Sequence, residues 1–243
     1  MIFENLPSNP IEITRVTFED LHELVVLSRQ TFIDAFKDQN KEENISHFVS
    51  GAYTVENLEN QLKNPDSAFY FARASGSSFI SVKTNKNDAN QDSRADFFQS
   101  YSPGTGPNFL QNDFLVPLPD QFQGAGSIND LQNNRNPALG YIKINFGSAQ
   151  SELQDPEALE LERIYVASNQ LGKGIGQQLL DKAIIIARRA GLRYIWLGVW
   201  EHNLKARKFY DKNGFVQFDQ HIFTLGDDDQ TDLLLKKVVE MHG

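Results

Sequence analysis

The sequence predicts an α/β (α+β) fold built on a mixed sheet, and three observations predict it. Residues 161–215 read in order as strand, glycine loop, amphipathic helix, strand and short helix, which sets two parallel strands side by side with a helix after each. Residues 68–74 (AFYFARA) and 138–146 (ALGYIKINF) are β-preferring runs that would pair as a hairpin. Near the N-terminus, a strand at residues 11–16 leads into a helical pattern.

Each element has a local reason. Thr17-x-x-Asp20 has the spacing of a capping box, and it opens a helix whose Leu21, Leu24, Val25, Ser28, Phe32, Ala35 and Phe36 share one face. A second helix runs from Thr54 to Lys63 and ends at Asn64-Pro65, because the residue before a proline is pushed out of helical geometry. In the β-like run at residues 159–166, Glu160 and Glu162 alternate and so point to one face of a regular strand. Gly172, Gly174 and Gly176 then free the backbone to turn tightly, so that successive N–H groups can converge on one anion. The helix that starts there adds its unpaired first-turn N–H groups and the positive end of its dipole, roughly half an elementary charge. Its Leu179, Leu180, Ala183, Ile184 and Ala187 follow the spacing of a helix packed on a sheet, and Gly191 stops it. Residues 193–200 (RYIWLGVW) read as a buried strand, with Trp196 and Trp200 on one face. Asn203 is an N-cap for a short helix carrying Ala206, Phe209 and Tyr210 and ending at Gly214. Asp227, Asp228 and Asp229 read as a solvated turn before the last strand.

Composition narrows the function classes. The 243 residues, 40% hydrophobic, suit one domain or one domain with a large insertion. With no cysteine, disulfides and thiolate catalysis are excluded. The N-terminus lacks the pattern of a secretory signal, and no apolar run approaches the ~20 residues of a membrane span, so a cytoplasmic protein without a membrane partner is expected. The net charge of −9 argues against nucleic acid and favours cationic ligands. The histidines (His22, His47, His202, His221, His242) show no ligand spacing, so no metal is expected, and no GxSxG places a nucleophilic serine. The glycine loop is not a Walker loop, since Gln177 and Gln178 follow Gly176 where Lys-Ser/Thr is required. Its late position and GxGxG spacing also differ from a dinucleotide fingerprint.

The glycine loop at residues 171–176, the strand IWLGVW, the N-x-x-A-x-x-F-Y segment at residues 203–210 and Gly214-Phe215 together resemble the GNAT superfamily of acetyl-CoA-dependent N-acetyltransferases. Within it the chain is similar to the PaiA-type spermidine/spermine N-acetyltransferases, on TFIDAFKDQN (residues 31–40), LERIYV, WLGVWEHN and LGDDDQTDLLLKK (residues 225–237). The resemblance implies a GNAT fold over a single domain, residues 1–243, with a mixed, mostly antiparallel central sheet whose central strand pair is parallel and flanked by helices. It departs from the family box at Leu171, where Gln or Arg is usual.

The implied activity is transfer of acetyl from acetyl-CoA to a primary amine, a polyamine such as spermidine or spermine, by direct attack in a ternary complex. Two alternatives stay open, a CoA-binding regulatory protein with little turnover and an N-acetyltransferase of amino acids or peptides. The resemblance assigns the cofactor's pyrophosphate to the backbone of Leu171, Gly172, Lys173, Gly174, Ile175 and Gly176, and its pantetheine arm to Ile164, Tyr165 and Val166. It adds Asn203 and Ala206 as cofactor contacts, Tyr210 as the general acid for the departing thiolate and Glu162 as the base. Glu160, Trp200 and His221 are substrate-side candidates, and a homodimer is left open.

Residues 75–138 stand where the family has a short turn, rich in Asn, Gln, Ser, Gly and Pro. Their composition suits a poorly ordered excursion, while the recurring Phe97, Phe98, Tyr101, Phe109, Phe114 and Phe122 suit a lid or an oligomer contact.

Overall fold

The computed structural model describes residues 10–75 and 136–240. Nearly all of the insertion, with the aromatic residues that suggested a lid, lies outside them. Seven strands form one sheet: β1 (Ile11–Arg15), β2 (Ser67–Ala74), β3 (Ala138–Phe146), β4 (Ala158–Val166), β5 (Tyr194–Trp200), β6 (Val216–Leu225) and β7 (Asp228–Val238). Their order is β1-β2-β3-β4-β5-β7-β6, and every neighbouring pair is antiparallel except β4 with β5. The expected mixed sheet with its one parallel pair is therefore present.

Two helical layers cover the sheet. On one face lie α4 (Ile175–Arg189) and α5 (Leu204–Lys212), where Leu179, Leu180, Ala183 and Ala187 pack fully buried on Ile142, Ile144, Leu159 and Ile195. The other face carries α1 (Leu21–Phe36), α2 (Glu42–Ala52) and α3 (Val55–Lys63), whose Leu24, Phe32, Val49 and Leu58 pack on Phe69, Phe71 and Tyr141. Burying a leucine or phenylalanine stabilises by about 1.5–3 kcal/mol, so these two layers supply most of the force that holds the helices to the sheet.

Local signals explain the boundaries. Thr17 forms its capping box, its amide donating to Asp20 Oδ2 at 2.9 Å, although the first turn after it is 3₁₀ and α1 begins at Leu21. Thr54 caps α3 by accepting from Asn57 N at 3.0 Å. Of the residues expected on the buried face of α1, Ala35 is exposed. Between β6 and β7 the chain reverses over Gly226, at φ +65°, and Asp227, which pairs with Lys41 Nζ at 2.7 Å and accepts from Asn44 Nδ2 at 2.9 Å. The turn before the last strand is thus tied to the start of α2, while Asp228 and Asp229 belong to β7.

Two features of β4 shape the end of the sheet towards which it runs. Its parallel pairing with β5 covers only Ala158–Glu160 against Tyr194–Trp196, after which β5 stays with β7 as far as Trp200. The two strands part towards their C-terminal ends, the end of an α/β sheet at which ligands bind. The second feature corrects the expectation of a regular strand. Lys143 pairs with Arg163 and Ile144 with Leu161, leaving Glu162 as the extra residue of a β-bulge. Leu159 and Leu161 before the bulge, and Ile164 and Val166 after it, consequently line the same core, while Tyr165 packs on the opposite one.

The ends of β2 and β3 are fixed to α1 at the neck of the insertion. Arg73 donates to Glu23 Oε2 at 2.7 Å and Asp20 Oδ1 at 3.0 Å, and Glu23 Oε1 accepts from Ala138 N at 2.8 Å.

Candidate active site

The glycine loop has the conformation its residues allow. Gly172 and Gly174 adopt φ +78° and +79°, and among the described residues an added Cβ at either would find nothing within 4 Å. Because α4 begins at Ile175, the amides of Ile175, Gly176 and Gln177 have no carbonyl to bond within the helix. No acidic residue occupies that first turn and no side chain caps it, so among the described residues nothing competes with an anion there. Leu171 is 60% exposed, and its amide makes a long bond of 3.5 Å to Ser168 O, which turns it back into the preceding 3₁₀ turn. The Lys173 ammonium is held on Gln170 Oε1 at 2.9 Å. At Gly176 an added Cβ would stand 3.8 Å from Val166 and 4.0 Å from Phe209, so the end of β4, the start of α4 and α5 meet at one point. Ile164 and Val166 line that junction on the part of β4 that has left β5.

Helix α5 carries Tyr210 into the core of the same sheet face as α4. Asn203 starts it by accepting from Ala206 N at 3.1 Å, which occupies its side-chain oxygen and leaves its amide NH₂ without a partner among the described residues. Tyr210 is buried, edge-on to Phe209 at 5.4 Å and to Phe215 at 5.5 Å. Burial pushes its phenol up from the ordinary tyrosine value, so it stays a neutral O–H donor at working pH. Burial likewise raises Tyr165, which lies close enough to feel both Tyr210 and Asp232.

Glu162 sits in a different setting from the one expected of a base. The bulge turns its carboxylate onto Lys143 Nζ at 2.5 Å and Arg163 Nη2 at 2.8 Å, and Asn145 Nδ2 donates to it at 2.6 Å. Burial works to raise this carboxyl, but Arg163 and Lys143 outweigh it and hold it at about 2. Glu160 shares the Asn145 amide at 2.8 Å and also accepts from Ser151 N at 3.0 Å and Ser151 Oγ. It is 3% exposed, and burial followed by the nearby Glu162 charge raises its carboxyl. Both carboxylates are thus bound into the sheet.

A second group of side chains gathers on the α1 to α3 face of β5, β6 and β7. Gly198 is exposed in the middle of β5, and a Cβ there would stand 3.6 Å from Asp232 Oδ2 and 3.9 Å from His221 Cε1. His221 of β6 is paired in register with Asp232 of β7, and Glu152 from the β3–β4 connection places Oε1 3.0 Å from its Nδ1. Trp200 is partly exposed, 6.1 Å from Phe36 and 5.3 Å from His202. Trp196 is core, its Nε1 donating to Gln150 Oε1 at 2.6 Å. Sequence reasoning named Trp200 and His221 on this side and missed Glu152, Gly198 and Asp232. A signal existed in the strand pairing, since a β6–β7 hairpin turning at Gly226-Asp227 brings positions 221 and 232 opposite each other. Among the described residues, no group of three or more histidines and carboxylates could hold a metal ion, and no helix is long and apolar enough to cross a membrane.

Comparison with known proteins agrees with this fold. The model of the acetyltransferase (GNAT) family matches residues 88–215. A protein of Lactobacillus delbrueckii subsp. lactis, named an uncharacterized N-acetyltransferase in the pepI 3′ region, is 29% identical over 229 residues, 94% of this chain and 98% of its own. The crystal structure of the PaiA N-acetyltransferase from Thermoplasma acidophilum in complex with coenzyme A superposes with a TM-score of 0.57 at 20% identity, covering 94% of this chain and 99% of that one. The ribosomal-protein-S18-alanine N-acetyltransferase from Escherichia coli superposes with a TM-score of 0.53 at 10% identity, covering 96% and 97%. At these identities the two structures speak to the shared fold. The family match spans more than half of the chain, and the chain therefore belongs to the GNAT family of acetyltransferases.

Proposed function

We propose that the protein transfers the acetyl group of acetyl-CoA to a primary amine, with polyamines such as spermidine and spermine as the acceptor class, by direct attack in a ternary complex. The observation that carries this reading is the parting of β4 from β5 immediately beyond Glu160, together with an α4 N-terminus that no side chain among the described residues caps. An extended thioester arm fits such an opening, and a pyrophosphate suits the backbone N–H groups at its mouth. The residues present fit this co-substrate, because among the described residues nothing would crowd an added Cβ at Gly172 or Gly174 and no carboxylate stands in the first turn. In this reading Gly172, Lys173, Gly174, Ile175 and Gly176 hold the pyrophosphate, with Leu171 contributing least. Ile164, Tyr165 and Val166 line the pantetheine arm, and Asn203 and Ala206 flank it. Tyr210 gives its proton to the departing thiolate, and a neutral buried phenol is suited to that task.

For the acceptor, support comes from the net charge of −9 and from Glu152 and Asp232 beside the exposed floor at Gly198. Glu162 serves as the counter-charge of Lys143 and Arg163, since a carboxylate held at about 2 takes a proton poorly from an ammonium of pKa near ~10.

Gly174→Pro tests the cofactor half. Proline fixes φ near −65° and lacks an N–H, so at a position with φ +79° it removes a donor and redirects the loop. One charge-assisted hydrogen bond contributes about 1.5–3 kcal/mol, so the affinity for acetyl-CoA should fall by at least about tenfold in a variant that keeps its sheet. Calorimetric titration decides it, and unchanged affinity in folded Gly174→Pro contradicts the assignment.

A further inference from the structure

We infer that His221 is the proton acceptor for the amine, backed by Glu152 and Asp232 and reached over the open floor at Gly198. This rests on the acetyl transfer proposed above and adds a residue with a defined chemical task. The geometry supports it in three ways. Gly198 leaves an exposed gap in the middle of β5, with His221 Cε1 and Asp232 Oδ2 at its edge. Any larger residue would cover that gap. The imidazole is 30% exposed, so part of the ring is accessible while Nδ1 is buried. Finally, Glu152 Oε1 lies 3.0 Å from Nδ1 without hydrogen-bond alignment, and Asp232 stands across the strand pair. Two carboxylates therefore flank the ring as partners for an imidazolium, and both also attract an ammonium group.

Tyr165 lies within electrostatic reach of both Asp232 and Tyr210. The charged groups around His221 are Glu152 on the β3–β4 connection, Asp232 on β7 and Asp219 on its own strand. Trp200 is the neighbour in register with Asp232 on β5, and His47 lies on the adjoining α2. Burial raises the Asp232 carboxyl, with His221 opposing that rise and Glu152 adding to it.

Protons and electron pairs balance across the reaction. The ammonium gives one proton to His221, and the freed nitrogen lone pair forms the C–N bond at the thioester carbonyl. As the C–S bond breaks, its electrons leave with sulfur, which takes the phenolic proton of Tyr210. The second proton of the attacking nitrogen replaces the one lost by Tyr210, and His221 returns its proton to solvent.

His221→Gln keeps size and polarity but cannot take the proton. With spermidine and acetyl-CoA, the expected result is a fall in kcat/KM of about 10² or more and loss of the acidic limb of its pH profile, with acetyl-CoA affinity and melting temperature unchanged. Gly198→Val, which fills the floor at ordinary contact distance, should raise the KM for spermidine while leaving acetyl-CoA affinity intact. A His221→Gln variant with the unaltered profile and turnover overturns the assignment of His221 and leaves the acetyltransferase reading standing. If the unaltered protein acetylates no amine, the acceptor reading fails and the assignment falls with it.

Discussion

Replacing Tyr210 by phenylalanine is expected to lower turnover by about 10² to 10⁴ and to leave acetyl-CoA affinity nearly unchanged. The ring stays, and with it the edge-on packing against Phe209 and Phe215 that holds α5 to the sheet. Only the hydroxyl is lost. Burial keeps that hydroxyl protonated, so it is a donor at every pH where the enzyme works, and its loss should scale the whole pH profile down without reshaping it. Pre-steady-state kinetics under conditions where chemistry is rate-limiting separates this from slow product release. Turnover at the original rate in that regime would assign Tyr210 to packing alone.

Replacing Glu162 by glutamine is expected to destabilise the fold by about 3–5 kcal/mol, a fall in Tm on the order of 10 °C, because Lys143 and Arg163 then lie buried without their counter-charge. The depressed carboxyl sets the sign of the pH dependence. Its folded value of about 2 lies below the ordinary 4.5, so the stability it contributes is complete above about pH 4.5 and is lost as the pH falls towards 2. The gap in Tm between the original protein and Glu162→Gln should therefore narrow over that window. A companion variant, Lys143→Met with Glu162→Gln, should recover part of the loss by removing one of the stranded cations. Thermal melts across pH check both statements, and a gap that stays constant down to pH 2 would place the source elsewhere than in the carboxylate.

The contrast between these two residues shows what could be read in the sequence. The place of Tyr210 on α5 was legible because a helix keeps residues seven apart on nearly one face, and Asn203, which caps α5, marks where that helix starts. The β4 to β5 unit was legible for the same local reason, a strand, a glycine turn and an amphipathic helix in sequence. Glu162 was harder, because the bulge at that position depends on how β3 registers against β4 and on Lys143 meeting it from 19 positions earlier. Helix α2 escaped notice although Ile45, Phe48, Val49 and Ala52 have helical spacing, since polar residues and Gly51 dilute the pattern. Strand β6 escaped for a related reason. As an edge strand exposed along most of its length, it lacks the alternation that marks a half-buried strand. The convergence of His221, Asp232 and Glu152 needs three separate connections in place, so no local window contains it.

The most direct measurement of the central proposal is acetyl-CoA consumption against a panel of spermidine, spermine, free amino acids and short peptides, with the acetylated product identified by mass. The expected result is acetyl transfer to the polyamines, a 1:1 yield of free CoA and acetylamine, and weaker transfer to acceptors that carry a carboxylate beside the amine. Tight acetyl-CoA binding with no acetylated product from any amine would contradict it, and would leave a CoA-binding protein on the same fold.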